Sequence, residues 1–371
     1  MVGNNGAANP PDNGVHTLLA STSNGVDAIF VFDQDSGAHH VNTRAPLAQA
    51  ARACQVTGCP MGIASYLKDI GRGKEGARAL SRAQATDLVA QILDGQVSDL
   101  EIGGFCLAMR IKGETAEEMA GFLDAAQARL QLLPNAGQPT VVLPSYNGAR
   151  KLPVLTPLLG LLLARQGVAV VIHGSPGEPQ RISTEQVLAE LATQPGLASS
   201  LSLAAQPQAP AALRPGVVHY RTLASLNGAL ARLLDVRQWV GLRNSAHSLV
   251  KLMNPCTSPA LLVCNYTHPE YAVSMAATLT LLNAHAMLLR GTEGEPVADA
   301  RRMPQMDILR AGQVRQAQAV QIGTLATLPE LPARCDAAST VHFIQQVLVG
   351  AVPIPAPIAR QVQIILEELN A

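Results

Sequence analysis

The chain has 371 residues, 48% of them hydrophobic, 15% charged and 3% aromatic, with 27 basic and 27 acidic side chains in balance. That length allows one large or two modest domains around an aliphatic core, and formal neutrality excludes a simple polycation. No uncharged apolar run reaches the ~18 residues of a membrane-spanning helix, and six scattered cysteines without zinc-site spacing suit a reducing cytosol rather than a disulfide framework or metal centre.

Residues 1–60 differ from the rest. Met1 to Gly14 is rich in Asn, Gly and Pro and is expected to be disordered. Asp27–Asp33 is expected as an isolated strand and Pro46–Cys54 as a short helix. No basic-then-apolar pattern suggests a signal peptide. The expectation is a dispensable extension, an upstream start appended to the main body. Of the 27 cations, 25 lie beyond it, with 23 of the 27 acids, and only five cations are lysines. Arginine is the better fork for phosphate oxygens, although GC-rich coding produces the same bias.

Tyr66 to Leu133 reads as helices: Leu80–Leu93, closed by Asp94-Gly95, then Asp99–Lys112, then Glu117–Leu133. The last starts at a capping box, Thr115 with Glu118. A βαβ unit follows: strand Thr140–Leu143, a turn-rich loop Pro144–Lys151, an apolar helix Val154–Arg165 and strand Val168–Ile172. Ser183 opens a helix to Leu191. Thr193 to Gly216 predicts loops and one weak strand. Helices are expected over Leu223–Leu234, Gly241–Met253, Pro269–Asn283, Ala338–Leu348 and Ile358–Leu369. Strands are expected over Ala260–Cys264 and Ala286–Leu289, with late ones at Met306–Leu309 and Gln318–Ile322. Strands alternating with helices predict an α/β fold, a mostly parallel sheet flanked by helices with a smaller all-helical subdomain. The expected boundaries are 61–133 for the helical domain and 139–371 for the α/β domain.

In such sheets, ligands bind beyond the carboxyl ends of the strands. Arg150 and Lys151 beside Gly148, at a helix start, therefore form the leading candidate anion site. Phosphate is the obvious anion, from either a small substrate or a nucleic-acid backbone. Asn147 and Gly148 shape the same turn.

The helical segment 79–130, through Leu80-Ser81-Arg82, Ile92-Leu93-Asp94-Gly95 and Arg110-Ile111-Lys112-Gly113-Glu114-Thr115, resembles the amino-terminal domain of anthranilate phosphoribosyltransferases (glycosyl transferase family 3). Gly241-Leu242-Arg243 through Asn254-Pro255, and the strand-end His173-Gly174, extend the resemblance over about residues 65–371. It implies the nucleoside phosphorylase/phosphoribosyltransferase-like fold. The family's diphosphate turn, Gly-Thr-Gly-Gly-Asp, is replaced by Ser145–Lys151, with one glycine and no Asp. Its magnesium-holding Asp-Glu pair is replaced by Glu293-Gly294-Glu295. The arginine of its His-Gly-Asn-Arg turn is missing from His173-Gly174-Ser175-Pro176. These replacements, with Ile70–Lys74, Arg243–His247 and His268–Tyr271, resemble the YbiB-type, phosphoribosyltransferase-like DNA-binding proteins.

That resemblance implies a homodimer that binds DNA and RNA with little sequence preference and lacks anthranilate phosphoribosyltransferase activity; a cytoplasmic location, no cofactor and no metal are expected beside it. The candidate phosphate contacts are Arg72, Lys74, Arg78, Asn147, Gly148, Arg150, Lys151, Arg243, Lys251 and Arg290. Lys74, Arg78 and Arg82 are expected on one helical face, and Arg243 and Lys251 on another. Scarce, isolated aromatics (Trp239, Tyr146, Tyr220, Tyr266, Tyr271) argue against a stacking platform and for backbone contacts. The alternatives are a phosphoribosyl or glycosyl transferase with an unidentified acceptor, its cation on Glu293 and Glu295, and a nucleotide sensor without chemistry.

Overall fold

The computed structural model describes residues 15–22, 25–33, 62–204 and 212–370. They belong to two compact units, 1–61 and 62–371. In the first, β1 (Val15–Thr22) and β2 (Gly25–Asp33) pair antiparallel, so Asp27–Asp33 is not an isolated strand but half of a hairpin. Met1–Gly14 and Pro46–Cys54 lie outside the described residues.

The second unit opens with helices α1 (Ala64–Ile70), α2 (Gly73–Gly76), α3 (Arg82–Leu93), α4 (Asp99–Lys112) and α5 (Ala116–Gln127). Three of them start at capping boxes, Ser81/Gln84, Ser98/Glu101 and Thr115/Glu118, which satisfy two orphan N–H groups each. Glu118 is fully buried. It accepts from the backbone of Leu80 and Thr115 and from Lys112 Nζ at 2.6 Å, which ties three segments of the bundle together. Gly121 matters for packing: a Cβ there would lie 2.3 Å from the Arg82 carbonyl, so only glycine lets α5 approach α3 this closely.

The remainder is β3 (Thr140–Ser145), α6 (Thr156–Ala164), β4 (Ala169–Gly174), α7 (Thr184–Ala192), β5 (Leu201–Ala204), β6 (Val218–Thr222), α8 (Leu223–Leu226), α9 (Gly228–Asp235), α10 (Arg237–Val240), α11 (Ala246–Leu249), β7 (Leu261–Tyr266), α12 (Pro269–Leu281), β8 (Ala286–Arg290), β9 (Met306–Arg310), β10 (Gln313–Gln318), α13 (Ala337–Leu348) and α14 (Ala356–Leu369). The described strands of this unit form an eight-stranded sheet in the order β10-β9-β8-β7-β3-β4-β6-β5. Pairing is parallel from β8 to β5 and antiparallel at β8–β9–β10.

Successive residues alternate between two cores. Val142, Val171, Leu262 and Leu288 face the core shared with the helical bundle. Val141, Val170, Leu261 and Met287 face the core built with α6, α7, α13 and α14. Burial on both faces explains the continuous apolar runs of β3 and β4. Among the described residues no helix is long and apolar enough to cross a membrane.

Four expectations need correcting. The late strand expected over Gln318–Ile322 lies earlier, as β10, because a tight turn with positive φ at Ala311 and Gly312 folds the chain straight back on β9. β6 was not anticipated, because His219 and Arg221 break its apolar run. Its five residues are nevertheless buried, with Arg221 donating to the Tyr220 carbonyl at 2.8 Å. The expected helix over 223–234 is interrupted at Asn227, which is extended (φ −158°) and caps α9 through Leu230 N–H. The expected helix over 241–253 is reduced to α11 and one 3-10 turn, Val250–Leu252.

Candidate functional site

The parallel strands β3, β4, β7 and β8 bring their carboxyl ends to one edge of the sheet. The loop after β3 and the turn after β8 meet there. Gly148 turns the first loop. Its φ is +61°, and a Cβ would come 2.5 Å from the Ile182 carbonyl, so the position requires glycine.

This loop presents a row of backbone N–H groups, as an anion cradle does. Every one of those that follow is already taken by a carboxylate of this chain. Glu295, 1% exposed, receives the N–H groups of Asn147 (2.9 Å) and Gly148 (2.7 Å) on Oε1. Its Oε2 accepts from Ser145 Oγ, from Thr156 Oγ1 at 3.1 Å and from Thr184 Oγ1 at 3.4 Å. Glu293 receives the N–H groups of Arg150 (3.1 Å), Lys151 (2.8 Å) and Leu152 (2.9 Å). Glu293 itself holds a left-handed φ of +50°, a conformation that L side chains adopt at a cost. Two glutamates thus hold the N–H groups that an anion at this loop would use.

The sequence-predicted residues separate into distinct groups. The side chains of Arg150, Lys151, Arg290 and Arg78 are exposed, with no hydrogen-bond or carboxylate partner among the described residues. Asn147 and Gly148 are buried and turned inward, Asn147 Nδ2 donating to the Glu293 carbonyl at 3.0 Å. Their reading as ligand contacts is corrected: the internal carboxylates hold their donors. Lys251 is also corrected. Its ammonium is buried and donates to Asn265 Oδ1 (2.9 Å) and the Gly294 carbonyl (3.2 Å), and burial lowers its pKa to about 8. Arg72 lies beside Asp69 at 3.5 Å and donates to the Lys68 carbonyl. Lys74 falls in α2, and its side chain is outside the described atoms. Lys74, Arg78 and Arg82 do not share a helical face, because the chain is extended between α2 and α3; Arg82 instead pairs with Asp124. Arg243 lies 3.4 Å from Glu178. Its expected common helix with Lys251 does not form, yet both line one cavity of about 470 Å³ with His247, Asn265 and Tyr271.

A second cavity, of about 640 Å³, opens where Lys151 and Arg290 meet Arg301 and Arg302. Arg301 makes a two-pronged contact with Asp299 (3.1 and 3.0 Å), whereas Arg302 has no such partner among the described residues. Tyr266, Met303 and Ile322 give this groove an apolar wall. Arg302 was missed by sequence reasoning, and so were Arg181 and Arg237, which converge with Arg243 on Glu178. The only local signal was Glu178 and Arg181 three residues apart in one loop.

Two histidines at this edge have lowered pKa values. His173 has its pKa lowered to about 3 by burial; Nε2–H donates to the Met253 carbonyl, leaving Nδ1 to accept from Tyr146 Oη at 2.7 Å. Burial, then the nearby Arg243, lowers His247 to about 4. Among the described residues no cluster of three or more His, Cys, Asp or Glu is placed to hold a metal ion. Glu293 and Glu295, the cation ligands of the alternative transferase reading, face N–H groups. Cys54 and Cys59 lie outside the described residues.

An α/β scaffold with a helical bundle before the sheet, and an anion cradle at the strand ends, defines a phosphoribosyltransferase-like protein. Residues 64–129 match the family model described as "Glycosyl transferase family, helical bundle domain". The uncharacterized protein YbiB of Escherichia coli strain K12 is 38% identical over 298 residues, covering 80% of this chain and 90% of that protein. An anthranilate phosphoribosyltransferase of Beijerinckia indica is 25% identical over 217 residues, covering 58% and 61%. Among solved structures, anthranilate phosphoribosyltransferase from Thermus thermophilus superposes with a TM-score of 0.58 at 20% identity, over 81% of this chain and 87% of that one. The Saccharomyces cerevisiae enzyme, in complex with PRPP and Mg, gives 0.58 at 12% identity over 83% and 88%. The chain belongs to the YbiB family of the anthranilate phosphoribosyltransferase-like, glycosyl transferase family 3, superfamily.

Proposed function

We propose that this protein binds DNA and RNA, largely without regard to sequence and without catalysis, through arginine and lysine contacts to backbone phosphates. One observation carries the reading. The cradle N–H groups are already filled by Glu293 and Glu295, while the side chains of Arg150, Lys151 and Arg290 face solvent without a carboxylate partner among the described residues, and exposed Arg302 shares only the field of Asp299. A diphosphate loses its site, whereas an extended polyanion finds fixed cations around an open groove. Such contacts neutralise phosphates and release counterions, which makes affinity fall steeply with salt and little with sequence. A homodimer in the cytoplasm fits the same reading.

The test is binding of unrelated DNA and RNA oligonucleotides across a salt series. In Arg150→Ala/Lys151→Ala, affinity should fall alike for all sequences. The slope of log K against log salt should flatten by about 1.4 to 1.8, at ~0.7 to ~0.9 per lost contact. A flat salt response of the wild type, or no binding near physiological salt, refutes the reading. The open 470 Å³ cavity beside Arg243 and Lys251 favours a second reading, a transferase of unidentified acceptor. Magnesium-dependent turnover of phosphoribosyl diphosphate that disappears in Glu293→Gln would establish it.

A further inference from the structure

Glu178 lies in the loop after β4, four residues beyond the strand end, and three guanidinium groups gather on it. Arg237 Nη1 donates to Oε1 at 2.6 Å, Arg243 Nη2 lies 3.4 Å from the same oxygen, and Arg181 Nε lies 3.8 Å from Oε2. The arginines come from three places in the chain: the 175–183 loop, α10 and the turn before α11. Arg181 also donates to the Gly148 carbonyl at 3.1 Å and reaches Glu293 at 3.5 Å. Glu293, however, is held by three backbone N–H groups.

The cluster is therefore short of negative charge: three cations share one carboxylate of their own and part of another. Only the Arg237 contact has the length of a strong charge-assisted bond. The excess is felt locally. Burial, then repulsion from Arg237, holds Arg243 below the usual guanidinium range, and Arg243 and Arg237 both add to the lowering of His247. The side chains of Glu178, Arg237 and Arg243 remain 35%, 33% and 37% exposed, so an incoming anion can reach them.

We propose that Arg181, Arg237 and Arg243 form a phosphate-binding site in which Glu178 stands in for the ligand. A phosphodiester carries the same single negative charge on two terminal oxygens as the Glu178 carboxylate does. Exchange of one for the other conserves charge and reuses the same donor forks. The inference deepens the nucleic-acid reading and rests on it: Glu178 is an internal competitor that lowers affinity for a phosphate backbone. Glu295 is buried under hydroxyls and backbone and Glu293 is pinned by three backbone N–H groups, whereas Glu178 is held by side chains alone and stands at the surface.

The experiment compares wild type, Glu178→Ala and Arg237→Ala, with thermal melting to confirm folding. Glu178→Ala should bind a single-stranded oligonucleotide about tenfold more tightly, ~1.4 kcal/mol, with the salt slope steeper by about 0.7. Arg237→Ala should weaken binding and flatten the slope by a similar amount. A second arm adds inorganic phosphate or pyrophosphate alone. Glu178→Ala should gain a melting shift with either anion that the wild type lacks, which separates a free phosphate from a backbone source. If Glu178→Ala does not fold, Arg237→Ala decides. Unchanged affinity and slope in a folded variant overturn the proposal and leave the nucleic-acid reading standing. If the wild type binds no oligonucleotide, that reading fails, and the phosphate arm alone decides the site.

Discussion

Replacing Glu295 tests the idea that a carboxylate has taken over the anion cradle. In Glu295→Ala the N–H groups of Asn147 and Gly148 lose their acceptor inside a 1%-exposed site, and three hydroxyls lose theirs. A buried donor left unsatisfied costs about 1–3 kcal/mol. Hydroxyls can rotate to other partners, and water can enter the vacated space, so the net cost should be about 3–5 kcal/mol, as for other broken buried charge networks. Glu295→Gln should cost less, about 1–2 kcal/mol. Its carbonyl oxygen can keep the two backbone N–H groups, and its amide can face Ser145, Thr156 and Thr184, whose oxygens accept as well as donate. Urea unfolding of the three proteins gives both values. Inorganic phosphate added to Glu295→Ala should then restore stability, by about 2.7 kcal/mol at a concentration 100 times its Kd, and should do nothing for the wild type. Equal stability of all three proteins, or equal phosphate stabilisation of wild type and variant, refutes the reasoning.

Gly148→Ala should cost at least ~2 kcal/mol, since alanine meets both a positive φ and a carbonyl 2.5 Å away; a melting curve decides. Lys112→Met should cost about 3–5 kcal/mol because it strands fully buried Glu118, whereas Arg82→Ala, from a half-open pair with Asp124, should cost no more than ~1 kcal/mol; chemical denaturation measures both. Acid should destabilise the fold early. Burial lowers His173 to about 3 and His219 and His247 to about 4, so below pH ~6.5 the unfolded chain takes up protons that the folded one refuses. The stability they confer is complete above that pH and drains away as pH falls towards 4 and then 3; melting temperature against pH checks it.

Local chemistry wrote much of this architecture into the sequence. The Thr115/Glu118 capping box, the termini of Asp99–Lys112 and the apolar run of β3 depend on neighbours a few residues apart, so they could be read directly. The placing of Arg150 and Lys151 at a strand end was readable for the same reason. β6 was not, because its His219 and Arg221 look exposed until both faces of the sheet are covered, the Arg214 N–H donates to His219 Nε2 and the Tyr220 carbonyl accepts from Arg221. The helix expected from Gly241 to Met253 broke up because tertiary packing, not periodicity, shapes that stretch.

The site was decided almost wholly in three dimensions. Glu295 meets Ser145 across 150 residues and Glu293 meets Lys151 across 142, and no pattern along the chain ties those positions together. Sequence identified a loop rich in donors and a turn rich in acceptors. Only the parallel sheet, by setting the ends of β3 and β8 on one edge, let each satisfy the other, because an N–H group taken from water must find an acceptor and the nearest one was the chain's own.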